Sequence, residues 1–508
     1  MVLRIAEAFA SKFFPTQYLI HIGVGILSLL VLRAFSQGRR TNRERDLHAR
    51  IILVTGGFTP LGLTLLQSLA QRGAHIIALS PDPIESANVS ILVDLLRSTT
   101  SNEEIYAEQC DLASPSSIRA FCTKFLTGKD QRLDAIIFAH EHRHIGSPKI
   151  FRAQQDEQDR NDRDANSLAT FLMTTLLLPA LLVAPVERDI RIINVVNPFY
   201  AAATALPFNP SFSVVDATTA WKNMSIISQE GRRSLRAIVL TRHLQRVLDA
   251  LPSAAQVPKT EEGSRAVPVV SPKLQKSNIV AVSVSPGIGR VDTVSSILNA
   301  DFLSPTGSYT GLTIYLLLQP LLRVFTKSPF SGMQTILHAL FLPTPFKILQ
   351  QTTVTSTKPK DKHPESAIDF STLPMSGEML LPGALYAECA AVKLNIKITP
   401  EMKEDDKKYR EEAALKRKKD AAKADKGKGK ATEESSLGEE VLDIPDDGEY
   451  GGELAGRLAW EGYEGALKVW EERNPGPVEE VTETLQPPVA PGPQSTPPTV
   501  EKENPDVY

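Results

Sequence analysis

Two groups of residues in this sequence have types and spacing suited to chemistry. The first is Thr55-Gly56-Gly57-Phe58-Thr59-Pro60-Leu61-Gly62, directly behind the apolar run Ile51-Ile-Leu-Val54 and ahead of the helical pattern Leu61–Arg72. A strand that turns on glycines into a helix leaves the first helical N–H groups at the positive end of the helix dipole, a seat for a pyrophosphate. Glycine serves there because a side chain would hold the backbone away from the phosphate oxygens. The second group is His140-Glu-His-Arg-His144, the densest cluster of ionisable side chains in the chain. Alternate histidines on an extended segment can share a metal ion. No fourth ligand suggests itself elsewhere, so the cluster reads as a loop lining a cleft and no metal site is expected.

Both groups need a frame to hold them. Short apolar runs at Ile51–Val54, His75–Leu79, Ala135–Phe138, Ile190–Val196 and Ile279–Val284 read as buried parallel strands, with helices such as Leu61–Arg72 and Asn166–Leu182 between them. Strand and helix in alternation from Arg50 to about Pro343 predict an α/β fold built on a doubly wound parallel sheet. Two stretches interrupt the pattern: the charged surface segment Gln154–Asp164 and a polar insertion at 252–277 read as a loop. The chain has 508 residues, 42% of them hydrophobic, and a formal net charge of −3. That is enough for one large domain plus extra segments, and the charge gives no argument for a nucleic-acid partner. Three cysteines (Cys110, Cys122, Cys389) without paired spacing suit a reducing compartment.

On these residues the sequence resembles the short-chain dehydrogenase/reductase (SDR) superfamily, most closely its retinol-dehydrogenase-like branch. Thr55-Gly56-x-x-x-Pro60-x-Gly62 lies over that family's glycine turn, with Pro60 in place of the middle glycine. Cys110-Asp111-Leu112 is similar to the segment whose Asp touches the adenine, and Asn166 falls on the catalytic-site asparagine. Ser285-Pro286-Gly287 is similar to the turn flanking the nicotinamide; Lys327–Thr335 and Gly383–Cys389 resemble later parts of the same branch. The resemblance extends the domain to residues 50–398 and implies a Rossmann-type fold and an NAD(P) site at Thr55, Gly56, Gly62, Asp111, Pro286 and Gly287. Three departures weaken that site. Pro60 has no N–H and carries a ring where a pyrophosphate needs room. Ser80 is neither the acid expected for an NAD ribose nor the Arg expected for an NADP phosphate. Phe138-Ala-His-Glu141 stands where the family has Asn-Asn-Ala-Gly.

The chemistry of that family needs a Tyr to move a proton at the substrate oxygen, a Lys one helical turn on to lower the Tyr pKa, and a Ser on the preceding strand. Here Asn197 takes the Ser position. Two registers of the next helix are open: Ser234-Leu-Arg236 on the family's Ser-Leu-Arg puts Trp221 and Ser225 at the Tyr and Lys positions, whereas Thr241-Arg-His-Leu244 on its Thr-Arg-Glu-Leu puts Glu230 and Ser234 there. The first leaves a Ser-to-Tyr gap closer to the family's. Neither supplies the pair, and none of the ten tyrosines has Lys at i+4. Lys222 points about 100° away from Trp221 around a helix and is a poor substitute. The expectation is an SDR-like pseudoenzyme with no catalytic residues, Asn166 and Asn197 serving in core hydrogen bonding, and NAD(P) binding doubtful.

Outside the body, residues 1–12 form an N-terminal segment, and 13–32 contain no Asp, Glu, Lys or Arg. A helix of that length crosses a bilayer of about 30 Å. Residues 33–49 are a basic linker with Arg33, Arg39, Arg40, Arg43 and Arg45, which orients the body toward the cytosol. The reading is a single-pass protein of the mitochondrial outer membrane or the ER, whose partners are that membrane and a lipid-like ligand or a protein. Tyr315–Leu322 is apolar but too short to span; it packs in the core, rests on the membrane or covers a lipid pocket. After a loop at 351–375, residues 399–453 read as a charged linker or helix, 454–473 as an amphipathic docking helix with Trp460, Tyr463, Leu467 and Trp470 on one face, and 474–508 as a disordered Pro-rich tail. The layout also resembles a little-characterised fungal, mitochondria-associated family of SDR-like proteins. The competing expectation is a membrane-bound NAD(P)-dependent oxidoreductase of a lipid-like alcohol or ketone.

Overall fold

The structure is a computed structural model that describes residues 19–128, 132–143, 145–151, 156–184, 188–212, 224–251, 279–300, 307–344, 378–408, 444 and 446–475. His144, Trp221, Lys222, the insertion 252–277, the loop 351–375, most of 399–453 and the Pro-rich tail lie outside the described residues, as does the anchor before Leu19.

The strands are β1 (Ile51–Thr55), β2 (His75–Ser80), β3 (Ile105–Gln109), β4 (Ala135–Phe138), β5 (Ile190–Val195), β6 (Ile279–Ser285), β7 (Leu385–Ala387) and β8 (Ala390–Val392). They form one sheet in the order β3-β2-β1-β4-β5-β6-β7-β8, parallel except for β8. The longer helices are α1 (Leu19–Gln37), α2 (Pro60–Ala70), α3 (Ala87–Thr100), α4 (Pro115–Thr127), α5 (Asp156–Leu182), α6 (Ile226–Ala250), α7 (Tyr309–Phe325), α8 (Pro329–Phe341) and α9 (Gly452–Arg473). Side chains alternate faces along a strand. Ile52 and Val54 therefore pack with Leu65, Leu69, Ile336 and Leu340 of α2 and α8, while Leu53 packs with Ile118, Leu168 and Leu172 of α4 and α5. Both faces of the sheet are covered, which is why its central strands are apolar without alternation. Chain order reverses between β1 and β4, and in such sheets the crevice outside the carboxyl ends of those two strands is where ligands bind.

Several expectations change. The charged segment Gln154–Asp164 is no interruption, since α5 begins at Asp156 and runs through it. Its inner charges are paired: Asp164 receives Arg236 at 3.2 Å and Arg163 reaches Glu230 at 2.9 Å. The basic linker 33–49 is packed on the body. Thr41 N donates to Gln334 Oε1 at 3.3 Å, Arg45 pairs with Asp189 at 2.9 Å, and the Arg40 guanidinium lies 5.7 Å from the Phe330 ring. Helix α1 passes Leu32 and ends at Gln37, before Gly38 at φ +70°. α7, which includes Tyr315–Leu322, does not pack in the core: Gly311 is its one buried residue. α9 lays Tyr463 and Trp470 on α5 and α6, with the Tyr463 ring 5.3 Å from Phe171 and 4.8 Å from Phe212.

Candidate functional site

At the carboxyl end of β1, Gly56 takes φ +66°, and a Cβ there would lie 2.8 Å from the backbone of His140. A Cβ on Gly62 would sit 2.2 Å from the Gly56 carbonyl. These glycines let the turn close on itself and on the β4 loop.

A helix begins with orphan N–H groups that must find acceptors. In α2 each is accounted for. Pro60 has none; Leu61 N donates to Asp292 Oδ1 at 3.4 Å, Gly62 N to Thr59 Oγ1 at 3.0 Å, and Leu63 N to the Thr59 carbonyl at 2.7 Å. Asp292 comes from the turn of π-helix that follows β6, is itself buried, and its carboxyl pKa is pushed up by that burial. A pyrophosphate would have to displace this carboxylic group, and it would meet the Pro60 ring beside it. Asp292 and the Pro60 ring thus stand where the resemblance puts a pyrophosphate.

The β4 loop closes the crevice from the other side. His140 is buried between Thr55 Oγ1, 2.7 Å from its Nδ1, and the Asn166 carbonyl, 2.9 Å from its Nε2. The carbonyl can only accept, so Nε2 carries the proton and Nδ1 takes the Thr55 hydroxyl. Asn166 spends its side chain on the Asp162 carbonyl, at 2.8 Å. Glu141 accepts from the Thr170 hydroxyl at 3.0 Å, and its main-chain carbonyl from Arg233 at 3.1 Å. His140 and His142 are directed apart, His142 to the Val196 backbone, and no group of three metal-ligating side chains occurs among the described residues.

The remaining positions hold the outer parts of the crevice. Asp111 lies behind β3, where its side chain accepts from Ala113 N at 2.9 Å. Ser80, at the end of β2, accepts from Asp82 N at 3.1 Å. Gly287 at φ +91° is packed against the Lys327 side chain, whose Nζ donates to the Pro286 carbonyl at 2.9 Å and pairs with Glu388.

Asn197 Nδ2 lies 3.3 Å from Glu230 Oε2, the residue that the second register puts at the Tyr position, while Trp221 of the first register lies outside the described residues. Ser225, favoured with Trp221 on sequence spacing, caps the start of α6 by accepting from Ser228 N. Gly231, next to Glu230, lets α6 approach the Phe199 carbonyl, where a Cβ would be 2.6 Å away. Glu230 is 2% exposed. It pairs with Arg163 at 2.9 Å and Arg233 at 2.9 Å and accepts from Gly146 N at 3.1 Å. Ser234, one turn on, is also buried and brings no charge. Arg233 and Asp292 were not singled out from sequence, and Arg163 and Lys327 only as members of the segments Gln154–Asp164 and Lys327–Thr335, because nothing local marks a charge that will be buried.

Burial pushes His142 and His243 down to about 4. Each is neutral in the fold, whereas an unfolded His takes a proton near 6.5. Their stability contribution is complete above about pH 6.5 and is lost as pH falls from there toward 4, on the order of 3 kcal/mol each. Thermal unfolding at pH 7.5, 6 and 5 should show the midpoint falling through this window, with a shallower fall in His142→Gln.

The sequence comparisons agree with this architecture. A family model described as KR domain matches residues 51–147. The "Uncharacterized oxidoreductase pbr1" of Schizosaccharomyces pombe is 24% identical over 322 residues, 63% of this chain and 77% of its own. The "Uncharacterized oxidoreductase YNL181W" of Saccharomyces cerevisiae is 27% identical over 367 residues, covering 70% and 82%. Human retinol dehydrogenase 12 is 27% identical over 168 residues, covering 33% of this chain and 50% of its own. Among solved structures, a short chain dehydrogenase from Salmonella enterica aligns with TM-score 0.35 and 17% identity over 57% of this chain and 98% of its own.

Proposed function

We propose, for a chain that belongs to the short-chain dehydrogenase/reductase superfamily, a non-catalytic role: a binding or scaffold protein held at a membrane by α1. The observation that carries this reading is the lock at the proton-donor position. Glu230 replaces the phenol and is clamped by Arg163 and Arg233, with Ser234 in place of the lysine. Loss of one positioned proton donor costs about 10²–10⁴ in rate, and here phenol, ammonium and serine hydroxyl are all replaced. The protein groups on the first turn of α2 support the same reading.

For the anchor, α1 offers an 18-residue window of mean hydropathy 1.6 without buried residues. The second helix long and apolar enough to span, Arg160–Leu182, is 67% buried and is a core helix of the body. We place the body in the cytosol on the strength of the arginines behind α1, at the mitochondrial outer membrane or the ER.

The test is a titration of NADH and NADPH into the purified full-length chain in detergent or nanodiscs, read by protein-to-nicotinamide energy transfer. No saturable signal is expected up to about 1 mM, with no turnover of long-chain alcohols or ketones, while Asp292→Asn raises the signal measurably. Micromolar binding with turnover would instead establish the second reading, a membrane-bound NAD(P)-dependent oxidoreductase of a lipid-like alcohol. That reading is favoured by the names of the relatives, which include human polyprenol dehydrogenase at 26% identity over 202 residues.

A further inference from the structure

We infer that α7 is a second membrane element: an interfacial helix that lies on the lipid surface at the foot of α1 and fixes how the body faces the bilayer. The inference rests on the reading of α1 as an anchor. α7 reads Tyr-Thr-Gly-Leu-Thr-Ile-Tyr-Leu-Leu-Leu-Gln-Pro-Leu-Leu-Arg-Val-Phe, with Arg323 as its one charge. Tyr309 is 85% exposed, Leu317 78%, Leu316 60%, Phe325 55% and Leu321 54%. A helix this apolar belongs inside something, and the body does not enclose it.

Geometry selects the occupant. Both ends of α7 are sewn to the same short stretch of the body: Ser308 N donates to the Asn299 carbonyl at 2.9 Å, Lys327 N to the Ile288 carbonyl at 3.0 Å, and Arg290 N to the Lys327 carbonyl at 3.1 Å. The helix lies along the surface and cannot swing out as a second span. Its C-terminal end meets the end of α1. Ser36 Oγ donates to the Val324 carbonyl, and Gln37 Nε2 to the Thr326 carbonyl at 3.0 Å. Gln37 Oε1 accepts from Ser328 N at 3.2 Å and from Ser331 Oγ at 2.7 Å, at the start of α8. With no slack between span and body, the place where α1 leaves the bilayer is the place where α7 sits. Arg33, Arg39, Arg40 and Arg323 are exposed near this junction, the charge complement of anionic lipid headgroups. Apolar side chains below a basic fringe are the composition of a helix seated at the headgroup and acyl boundary.

The test labels single cysteines introduced into the full chain with an environment-sensitive nitrobenzoxadiazole dye, in liposomes carrying nitroxide-labelled acyl chains. The natural Cys110, Cys122 and Cys389 are buried, so surface positions label selectively. Three positions serve: Leu317→Cys on α7, Leu27→Cys in α1, and Leu95→Cys on α3 near the β3 edge, where Leu95 is 55% exposed. Dye at 317 should lose most of its emission to nitroxides near the top of the acyl chain, dye at 27 to nitroxides near the bilayer centre, and dye at 95 to neither. Quenching at 27 without quenching at 317 overturns the inference and leaves the anchor standing. No quenching at either overturns both. A dry but unquenched 317 means that a second copy of the chain covers α7, which also overturns it. Thermal unfolding of the labelled proteins checks that each is folded.

Discussion

Glu230→Ala is expected to lower the unfolding free energy by about 3–5 kcal/mol, the usual cost of breaking a buried ion pair by removing one partner. The side chain is buried, so solvent screens little of the interaction. Its removal takes from Arg163 and Arg233 their common carboxylate, and from Asn197 and Gly146 an acceptor. In a body of this size that amounts to roughly 5–15 °C in the unfolding midpoint. Glu230→Gln keeps the shape and some hydrogen bonds but not the charge, and should fall between Ala and the parent. The sign of the effect separates the two functional readings. Catalytic groups are commonly held at the expense of stability, so their neutralisation is neutral or stabilising. A carboxylate that serves the fold gives a loss. A midpoint unchanged or raised in both variants, measured in detergent at pH 7.5, would count against the non-catalytic reading and for Glu230 as a working acid.

Much of the fold was legible because it rests on periodicity. Ile51–Thr55, His75–Ser80, Ala135–Phe138, Ile190–Val195 and Ile279–Ser285 are apolar runs of strand length, and their burial on both faces is what the composition encodes. The strands that escaped notice have weaker signatures. β3 is an edge strand with Tyr106 exposed to 42%, so half of it is polar. β7 and β8 have three residues each and join through Glu388 and Cys389 at φ +53° and +56°. Such a turn is ordinarily announced by Asn-Gly, and this pair gives no such signal.

The site was legible in outline and not in detail. Gly56, Pro60 and Gly62 could be placed behind the first strand, and that no tyrosine has Lys at i+4 was countable without alignment. What fills the crevice was not. Asp292 reaches Leu61 N across 231 positions of sequence, and His140 reaches Asn166 across 26. The choice between Trp221 and Glu230 hung on loop length, the quantity that sequence specifies least, whereas the 3.3 Å approach of Glu230 to Asn197 exists only in the folded chain.

The second large effect is expected at Arg191, whose side chain is 1% exposed beneath β5. Its guanidinium donates to the carbonyls of Ala339 at 2.7 Å and Leu342 at 2.6 Å, and to that of Leu340. These carbonyls close α8, at the negative end of its dipole, where a cation is favoured. Asp189 balances the charge at 2.8 Å and shares itself with Arg45, the residue that ties the segment behind the anchor to the body. Arg191→Ala therefore removes three hydrogen bonds from the end of α8 and one of two cations from a buried carboxylate. A loss of about 3–5 kcal/mol is expected. Arg191→Lys should recover part of it, since an ammonium supplies the charge but lacks the planar fork that reaches several acceptors at once. Because Asp189 keeps Arg45, hydrogen exchange should localise the damage: amides near 338–342 lose protection, while those of α2 and β1 keep theirs below the global transition. If Arg191→Ala shifts the unfolding midpoint by no more than a surface substitution does, the buried cation does not hold α8 against the sheet.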